Sequence, residues 1–302
     1  MTIYLPIAEL SVSVLGLLAL GGGVGLLSGL FGIGGGFLLT PLLMFMGVPP
    51  AVAVATGANQ VIGASVSGLV AHWRRRNVDI RMGVVLMIGG FAGSTLGVAL
   101  FAFLDRAGLI DTAVALAYVV FLGVVGILMG AESLVTLRRT RNEAVQPRKR
   151  HRHPFPGLPF KMRFPRSGLY VSVLVPLGVG AFGGTLSAIM GVGGGFVMVP
   201  LMIYVIEMPT TVVIGTSLFQ IIFVTANVTL LHATTTHSVD AVLMLTLLIG
   251  GVVGAQWGAR FGARLRGEQL RLLLALLVVL VALRLAAGLV LTPDDVFRLE
   301  TR

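Results

Sequence analysis

Cysteine is absent from this 302-residue chain, and charged residues make up only 11% of it. Without cysteine the chain has no disulfide, no thiolate metal site and no thiol nucleophile. A soluble domain usually carries about 25% charged residues, so a surface with so few charges cannot face water over most of its area. Hydrophobic residues make up 56%, and the mean hydropathy is +0.98. The composition therefore predicts an integral membrane protein.

Acidic residues are missing from the centres of the apolar stretches. Glu132 and Glu207 lie near the ends of stretches, and the aspartates lie in or beside loops. Because proton pumps and cation-coupled carriers usually need a carboxylate near the middle of a span, this absence argues against a cation substrate. No His, Asp and Glu cluster has metal-ligand spacing, so no metal site is predicted. No nucleophile–base pair is evident either, which disfavours an intramembrane enzyme.

Basic residues outnumber acidic residues by 22 to 12, and they cluster between the apolar stretches. This is the positive-inside distribution of a membrane protein, and it disfavours nucleic-acid binding. Residues 138–166 hold ten of the basic residues and form a predicted cytoplasmic linker between a first unit, 1–137, and a second unit, 167–302. An alternative role for the linker run RKRHRH is contact with lipid headgroups. The expected location is the plasma membrane, with several spans.

Ten apolar stretches predict an all-α polytopic fold. Eight are long enough, or nearly so, to cross about 30 Å of hydrocarbon as a helix. The other two have 12 residues each and would reach only about 18 Å. Each short stretch follows a glycine cluster, which predicts a broken or re-entrant helix. The stretches are 8–31, 36–47, 51–73, 82–104, 110–137, 168–190, 195–206, 210–233, 240–259 and 270–292.

The two halves of the chain repeat the same residues in the same order, which predicts two homologous repeats. The matches lie 159, then 160, then 161 positions apart. If each repeat crosses the membrane five times the second is inverted, and if the short stretches do not cross the repeats are parallel. The basic residues fit the inverted arrangement better. The matched pairs are Ser28, Gly32, Gly34, Gly35, Gly36, Phe37, Pro41 and Leu42 with Ser187, Gly191, Gly193, Gly194, Gly195, Phe196, Pro200 and Leu201; Thr56, Gln60 and His72 with Thr216, Gln220 and His232; and Asp79, Gly89, Gly90, Gly93 and Gly97 with Asp240, Gly250, Gly251, Gly254 and Gly258.

The glycine clusters FGIGGGF (31–37) and MGVGGGF (190–196) form the first part of a candidate substrate site. Each glycine costs a helix about 1 kcal/mol relative to alanine, so the helix breaks there. The helix that begins after the break presents unpaired N–H groups and a partial positive charge, which suit an anion. The alternative is tight helix packing. No strand precedes the clusters, so they are not a dinucleotide fingerprint, and no cofactor is predicted. The predicted substrate-binding glycines are Gly34, Gly35, Gly36, Gly193, Gly194 and Gly195.

Uncharged polar residues on the next helix of each half form the second part of this site. Thr56 and Gln60 are four residues apart and share a helix face, as do Thr216 and Gln220. Their hydroxyl and amide groups can donate hydrogen bonds to an oxyanion and still release it. The alternative is hydrogen bonding between helices. The predicted set is Thr56, Asn59, Gln60, Thr216, Ser217, Gln220 and Asn227.

Arg284 and two histidines are further polar residues at or near the spans. Arg284 is expected to extend to an interface or to pair with Glu132, and the alternative is that it adds positive potential to an anion path. His72 and His232 end corresponding helices, and we expect interfacial anchors there rather than proton-coupling groups.

With these motifs, the chain resembles the sulfite exporter TauE/SafE family of anion permeases, also called the TSUP family. The resemblance rests on G-(I/V)-GGG-F followed by a proline five residues beyond the glycines, and on the downstream Thr-to-Gln pair, in both halves. It implies a permease for sulfite, sulfoacetate, thiosulfate or a related anion. An anion channel and a non-transporting membrane assembly protein are the alternatives. We expect the anion between the two repeats, while the sequence leaves the direction of transport and the oligomeric state open.

Overall fold

The computed structural model describes residues 2–31, 36–139, 159–262 and 267–290, and within them two strands followed by five helices occur twice. The first unit contains β1 (Thr2–Leu5), β2 (Leu10–Ser13), α1 (Val14–Phe31), α2 (Gly36–Phe45), α3 (Pro50–Arg74), α4 (Ile80–Arg106) and α5 (Ile110–Arg139). The second contains β3 (Lys161–Phe164), β4 (Leu169–Ser172), α6 (Leu174–Met190), α7 (Gly195–Tyr204), α8 (Thr210–Thr235), α9 (Ala241–Gly262) and α10 (Gly267–Val290).

The predicted helical membrane fold is confirmed. In the described part of the chain, α3, α4, α5, α8 and α9 are long and apolar enough to cross a membrane, judged by length and composition. The apolar parts of α1, α2, α6, α7 and α10 are shorter. The two shortest, α2 and α7, have 10 residues each and directly follow the glycine clusters, as the sequence predicts.

A β-hairpin precedes the first helix of each unit, so these two helices start later than predicted. The stretches predicted as 8–31 and 168–190 begin inside hairpins, so α1 starts at Val14 and α6 at Leu174. Both hairpins are antiparallel. Strand β3 also occupies part of the predicted linker, of which residues 140–158 lie outside the described residues.

Each hairpin is attached to the other unit by one buried aspartate. Asp79 precedes α4, where one carboxylate oxygen accepts an N–H of the first helical turn and the other accepts the backbone N–H of Ser167 at 3.0 Å and its hydroxyl. Asp240 accepts two N–H groups of α9 in the same way, and its other oxygen accepts the N–H of Ile7 at 3.0 Å. Helix α3 begins beside Asp240, whose N–H bonds to Thr56, and its other end leads to Asp79, so the hairpins lie at opposite ends of the bundle, which we call the Asp79 end and the Asp240 end.

Replacing Asp240 by alanine should remove a helix cap and a hairpin attachment together. A lost N-cap costs about 0.5–2 kcal/mol, and a buried N–H left without its acceptor costs roughly 1–3 kcal/mol more. We therefore expect Asp240→Ala to lower the melting temperature of the purified protein in detergent. Asp111→Ala, which removes an exposed carboxylate in the first turn of α5, is the control and should melt like the unaltered chain. Equal melting temperatures for the two variants would contradict the role assigned to Asp240.

Helix α1 runs parallel to α9, away from the Asp240 end. Gly21 packs on the backbone of Leu247, and Gly25 packs on that of Gly251, so residue numbers rise together along the two helices. The packing is close because glycine has no side chain that would keep the two backbones apart. Helices α4 and α6 form the corresponding parallel pair, in which Gly93 lies against the carbonyl oxygen of Ala181.

Helix α2 then reverses direction, so α1 and α2 form a re-entrant pair. Gly36 lies beside Val61, and Thr40 lies beside Gly57, so α2 runs antiparallel to α3. Since α3 contacts the start of α9, both the end of α2 and the start of α3 lie toward the Asp240 end. Helices α3, α4 and α5 therefore carry the chain from one end to the other. Because α1 leaves the Asp240 end and α2 returns toward it, the number of crossings in each unit, and with it the relative orientation of the repeats, stays a prediction.

Candidate functional site

The break between α6 and α7 has a backbone that favours glycine at three positions. Gly191, Gly193 and Gly194 have φ of +67°, +68° and +78°, in the left-handed region that other L-residues adopt only with strain. Gly191 ends α6, and Gly194 is the N-cap of α7. One helix therefore stops and another begins within four residues, as predicted.

Packing explains two of these glycines but not the third. A β-carbon at Gly191 would overlap the carbonyl oxygen of Val54, and one at Gly193 would lie 2.5 Å from the side chain of Val61. At Gly194 the nearest atom would be 3.6 Å away, which is an ordinary contact. Tight packing against α3, the alternative interpretation of the cluster, therefore applies to Gly191 and Gly193. The N-terminus of α7 at Gly194 is not obstructed by such a contact.

The start of α2 lies next to the second break in the interior of the bundle. A β-carbon at Gly36 would lie 2.8 Å from the carbonyl oxygen of Val192. The rings of Phe37 and Phe196, which directly follow the two clusters, stack with centroids 4.2 Å apart and planes inclined by 15°. Gly195 is buried as the first residue of α7. The predicted residues Gly34 and Gly35 lie outside the described residues.

Ser187 places a buried hydroxyl beside the second break. This serine is not among the substrate-binding residues predicted from the sequence. Its side chain is 1% exposed, and Oγ has no hydrogen-bond partner among the described residues. The Ser187 Cβ lies 3.8 Å from where a β-carbon of Gly194 would be, which places the hydroxyl near the start of α7. The signal available in the sequence was the recurrence of this serine as Ser28, four residues before Gly32.

Two further side chains hold the second break in place. The Tyr118 hydroxyl donates to the carbonyl oxygen of Met190 at 2.5 Å, and the Thr225 hydroxyl donates to that of Gly193 at 3.4 Å. Tyr118 belongs to α5 of the first unit, so the break of the second unit is fixed by both units. No pattern in the sequence marks Tyr118, since a tyrosine in an apolar stretch is also typical of lipid-facing positions.

Gln60 and Gln220 are buried, and each has an amide oxygen without a hydrogen-bond partner in the described part of the chain. The Gln60 Nε2 donates to the carbonyl oxygen of Gly21 at 2.8 Å. Gly251 makes room for Gln60, since a β-carbon there would overlap its amide, and a β-carbon at Gly90 would lie 3.1 Å from the amide nitrogen of Gln220. Each glutamine thus contacts a glycine of the other unit. Gly251 belongs to the α1–α9 pair and Gly90 to the α4–α6 pair.

Gly251→Ala should displace the Gln60 amide without changing any polar group. We expect a methyl group at this position to push the amide off Gly21 and to weaken whatever Gln60 binds, so that Gly251→Ala behaves like Gln60→Ala in a ligand-binding assay. The control is Gly123→Ala in α5, where the described atoms leave open space around the new β-carbon. If Gly251→Ala bound as well as the control, the glutamine position would not matter.

Thr56 and Thr216 accept hydrogen bonds across the two units. Thr56 Oγ1 accepts the backbone N–H of Asp240 at 3.0 Å, and Thr216 Oγ1 accepts that of Asp79 at 2.9 Å. These bonds match the alternative of hydrogen bonding between helices. Each hydroxyl keeps a proton to donate, so substrate contact by these threonines stays a prediction.

The other predicted polar residues also have partners within the protein. Asn59 Nδ2 lies 3.5 Å from the backbone oxygen of Thr56 one turn earlier, and the Ser217 hydroxyl donates to Ile214 at 2.9 Å. Asn227 Nδ2 donates to Ser94 Oγ of α4 at 2.9 Å, which links the units. The predicted polar residues therefore bond at separate places, some within their own helix and some across the units, instead of gathering at one point.

Arg284 lies at the end of α2, whereas His232 contacts the last turn of α6, close to the second break. The Arg284 guanidinium is 5.4 Å from the ring centroid of Phe45, at the far end of α2, and the side chain of its predicted partner Glu132 lies outside the described side chains. His232 is fully buried and its Nε2 lies 3.0 Å from the carbonyl oxygen of Ala188. His232 therefore connects α8 to α6, which does not fit the expected interfacial anchor.

Comparison with known families identifies the chain. Residues 17–285 match the family model described as Sulfite exporter TauE/SafE. The chain belongs to this family. It is a membrane transporter and not an enzyme, because the family model describes an exporter and bacterial relatives are named probable membrane transporter proteins.

The relatives of this TauE/SafE protein include bacterial and plant proteins. A probable membrane transporter protein of Xylella fastidiosa strain Temecula1 is 31% identical over 203 residues, which is 67% of each chain. The probable membrane transporter protein YunE of Bacillus subtilis strain 168 is 28% identical over 233 residues, covering 74% of this chain and 78% of YunE. The Sulfite exporter TauE/SafE family protein 6 of Arabidopsis thaliana is 37% identical over 73 residues, covering 24% of this chain and 17% of that protein. No solved structure matches the chain.

Proposed function

We propose that this TauE/SafE protein moves a small anion, sulfite or another sulfur-containing oxyanion or organosulfonate, at the paired helix breaks between its two units. The observation that carries the proposal is the N-terminus of α7 at Gly194, next to the buried Ser187 hydroxyl without a partner among the described residues. A helix N-terminus presents N–H donors and a partial positive charge to an anion.

The chemistry of the surrounding side chains suits an oxyanion that must be released again. The Ser187 hydroxyl and the amide N–H groups of Gln60 and Gln220 can donate hydrogen bonds to an anion without a full positive charge, whereas the amide oxygens only accept. Among the described residues, the buried carboxylates are Asp79 and Asp240, and both are occupied at helix starts. No buried negative charge therefore opposes an anion at the breaks.

Alternating access is the mechanism that the arrangement of the units supports. The units begin at opposite ends of the bundle, which is the geometry of inverted repeats that rock around a central site. The stacked rings of Phe37 and Phe196 lie where such rocking would open or close a path between the breaks. The common origin of the two units stays part of this proposal.

The orientation in the membrane follows from where the basic segments lie. The Arg166 Nη1 donates to the carbonyl oxygen of Arg76 at 2.9 Å, so the loop after α3 and the second hairpin share the Asp79 end. Basic loops face the cytoplasm under the positive-inside rule. We therefore place the Asp79 end and the linker 138–166 in the cytoplasm and the protein in the plasma membrane.

A stabilisation assay on the purified protein tests the proposal. An anion that binds the folded state at one hundred times its Kd should add about 2.7 kcal/mol of stability. We expect one sulfur oxyanion among sulfite, thiosulfate, sulfate and sulfoacetate to raise the melting temperature selectively. The shift should disappear in Gln60→Ala and Gln220→Ala and persist in Thr95→Ala, a control that removes an exposed hydroxyl bonded within its own helix. Equal shifts with every anion, retained in the glutamine variants, would contradict this site.

A further inference from the structure

An open apolar groove runs along the outer face of the second unit, between α6 and α7. Its volume is about 370 Å³. From Leu174 to Phe182 the groove follows α6 for roughly 12 Å, at 1.5 Å per residue. Leu174 and Phe182 are exposed, at 45% and 55%, so in a membrane this face contacts lipid. The lining includes Leu174, Val175, Gly178 and Phe182 of α6, Leu201 of α7, and Val205, the C-cap of α7.

A basic hairpin lies at the mouth of this groove. Strand β4 leads into α6, and the N–H of Leu174 bonds to Ser172 Oγ, so the hairpin adjoins the first residue of the lining. Lys161 pairs with Ser172 in the sheet, and Lys161 and Arg163 are both exposed. Tyr170, opposite Arg163, is 55% exposed, as expected for an aromatic residue at the membrane interface. An apolar slot that opens next to two cations matches an acyl chain joined to an anionic headgroup.

We propose that this groove binds an anionic phospholipid, with one acyl chain between α6 and α7 and the headgroup phosphate at Lys161 and Arg163. The charge of the hairpin selects an anionic over a zwitterionic headgroup, because basic residues at a membrane surface attract anionic lipids. Gly178 gives the chain room, since no described atom would lie within 4 Å of a β-carbon there.

The described part of the first unit differs in both features, the basic hairpin and the space beside the first helix. Where β3 carries its two basic residues, β1 carries Thr2 and Tyr4. Met46, the counterpart of Val205, extends its methyl group to 4.0 Å from a β-carbon position at Gly16 and occupies part of the equivalent space. This asymmetry points to a ligand of one leaflet and not to a general property of the lipid-facing surface.

Native mass spectrometry of the full purified chain in detergent tests the proposal, with dioleoyl-phosphatidylglycerol and dioleoyl-phosphatidylcholine added in equal amounts. We expect one phosphatidylglycerol bound per chain in preference to phosphatidylcholine. Gly178→Leu should fill the groove and reduce this binding at least about tenfold. The double variant Lys161→Gln with Arg163→Gln should weaken it by about tenfold or more, since each basic residue contributes on the order of 1 kcal/mol. The control is Ala19→Leu, at the exposed first-unit counterpart of Gly178, which should bind like the unaltered chain.

Four outcomes would overturn the proposal. The first three are equal binding of the two lipids, unchanged binding in Gly178→Leu, and loss of binding in the Ala19→Leu control. The fourth is a change in the number of chains per particle in Gly178→Leu, which would assign the groove to a second copy of the protein. Melting temperatures measured without added lipid show that the variants are folded. Soluble glycerol phosphate should give no stabilisation, and a shift equal to that of the lipid would mean that the hairpin binds the phosphate alone.

Discussion

Gly93→Leu should leave little folded protein, whereas Gly123→Leu should fold normally. A β-carbon at Gly93 would overlap the carbonyl oxygen of Ala181, which is backbone and cannot move aside. The helices α4 and α6 would have to separate along the whole contact from Gly89 to Gly97, and close backbone packing is what holds such a pair together. Inserting a larger side chain into a packed core usually lowers the free energy of unfolding by roughly 1–3 kcal/mol, and we expect a larger loss of stability for Gly93→Leu.

Size-exclusion chromatography and melting temperature in detergent measure this difference. Gly123 is a matched control because it lies in α5, and the described atoms leave the space around it open. The larger side chain is then the same in both variants, and only the neighbouring backbone differs. If Gly93→Leu eluted and melted like Gly123→Leu, the account of glycine as a packing residue in these helices would fail.

Gly194→Ala should abolish anion-dependent stabilisation and transport, while Gly168→Ala should affect only stability. Both glycines have a left-handed backbone, with φ of +78° and +68°. An alanine costs about 1–2 kcal/mol in that conformation, so both variants should lose similar stability. Gly194 is the N-cap of α7 at the proposed anion site, whereas Gly168 lies in the turn of the second hairpin.

The pair of variants therefore separates backbone strain from ligand binding. Melting temperatures with and without the selected anion, followed by flux in proteoliposomes, give both quantities. A Gly194→Ala protein that binds and transports as well as Gly168→Ala would show that the start of α7 does not contact the anion.

The helices were predictable from the sequence because length and hydropathy alone decide them. The stretch 82–104, for example, became α4 with Asp79 as its cap, and the repeated glycines Gly89, Gly93 and Gly97 pack as expected for small residues between spans. The hairpins could not be predicted in this way. Their strands have four residues each, and Leu10–Ser13 continues directly into the apolar stretch of α1, so no change of periodicity separates strand from helix.

The candidate site was predictable in its glycines and only partly in its polar residues. Three consecutive glycines in an apolar stretch imply a break in any context, and the break after α6 is where the sequence places it. The role of a hydroxyl depends on what folds against it. Thr56, a predicted ligand-binding residue, accepts the N–H of Asp240, 184 positions away, while Ser187 has no partner among the described residues. Neither fact follows from spacing along one helix.

Counterflow in proteoliposomes tests the central claim most directly. Vesicles preloaded with unlabelled sulfite would receive external labelled sulfite, with the unaltered chain compared to Gly194→Ala. The account predicts saturable accumulation of label against its gradient, lost in Gly194→Ala and competed by the sulfur oxyanion that stabilises the protein in detergent. Flux without counterflow would indicate a channel, and no flux of sulfite, thiosulfate or sulfoacetate by the folded protein would contradict transport of sulfur anions at the paired breaks.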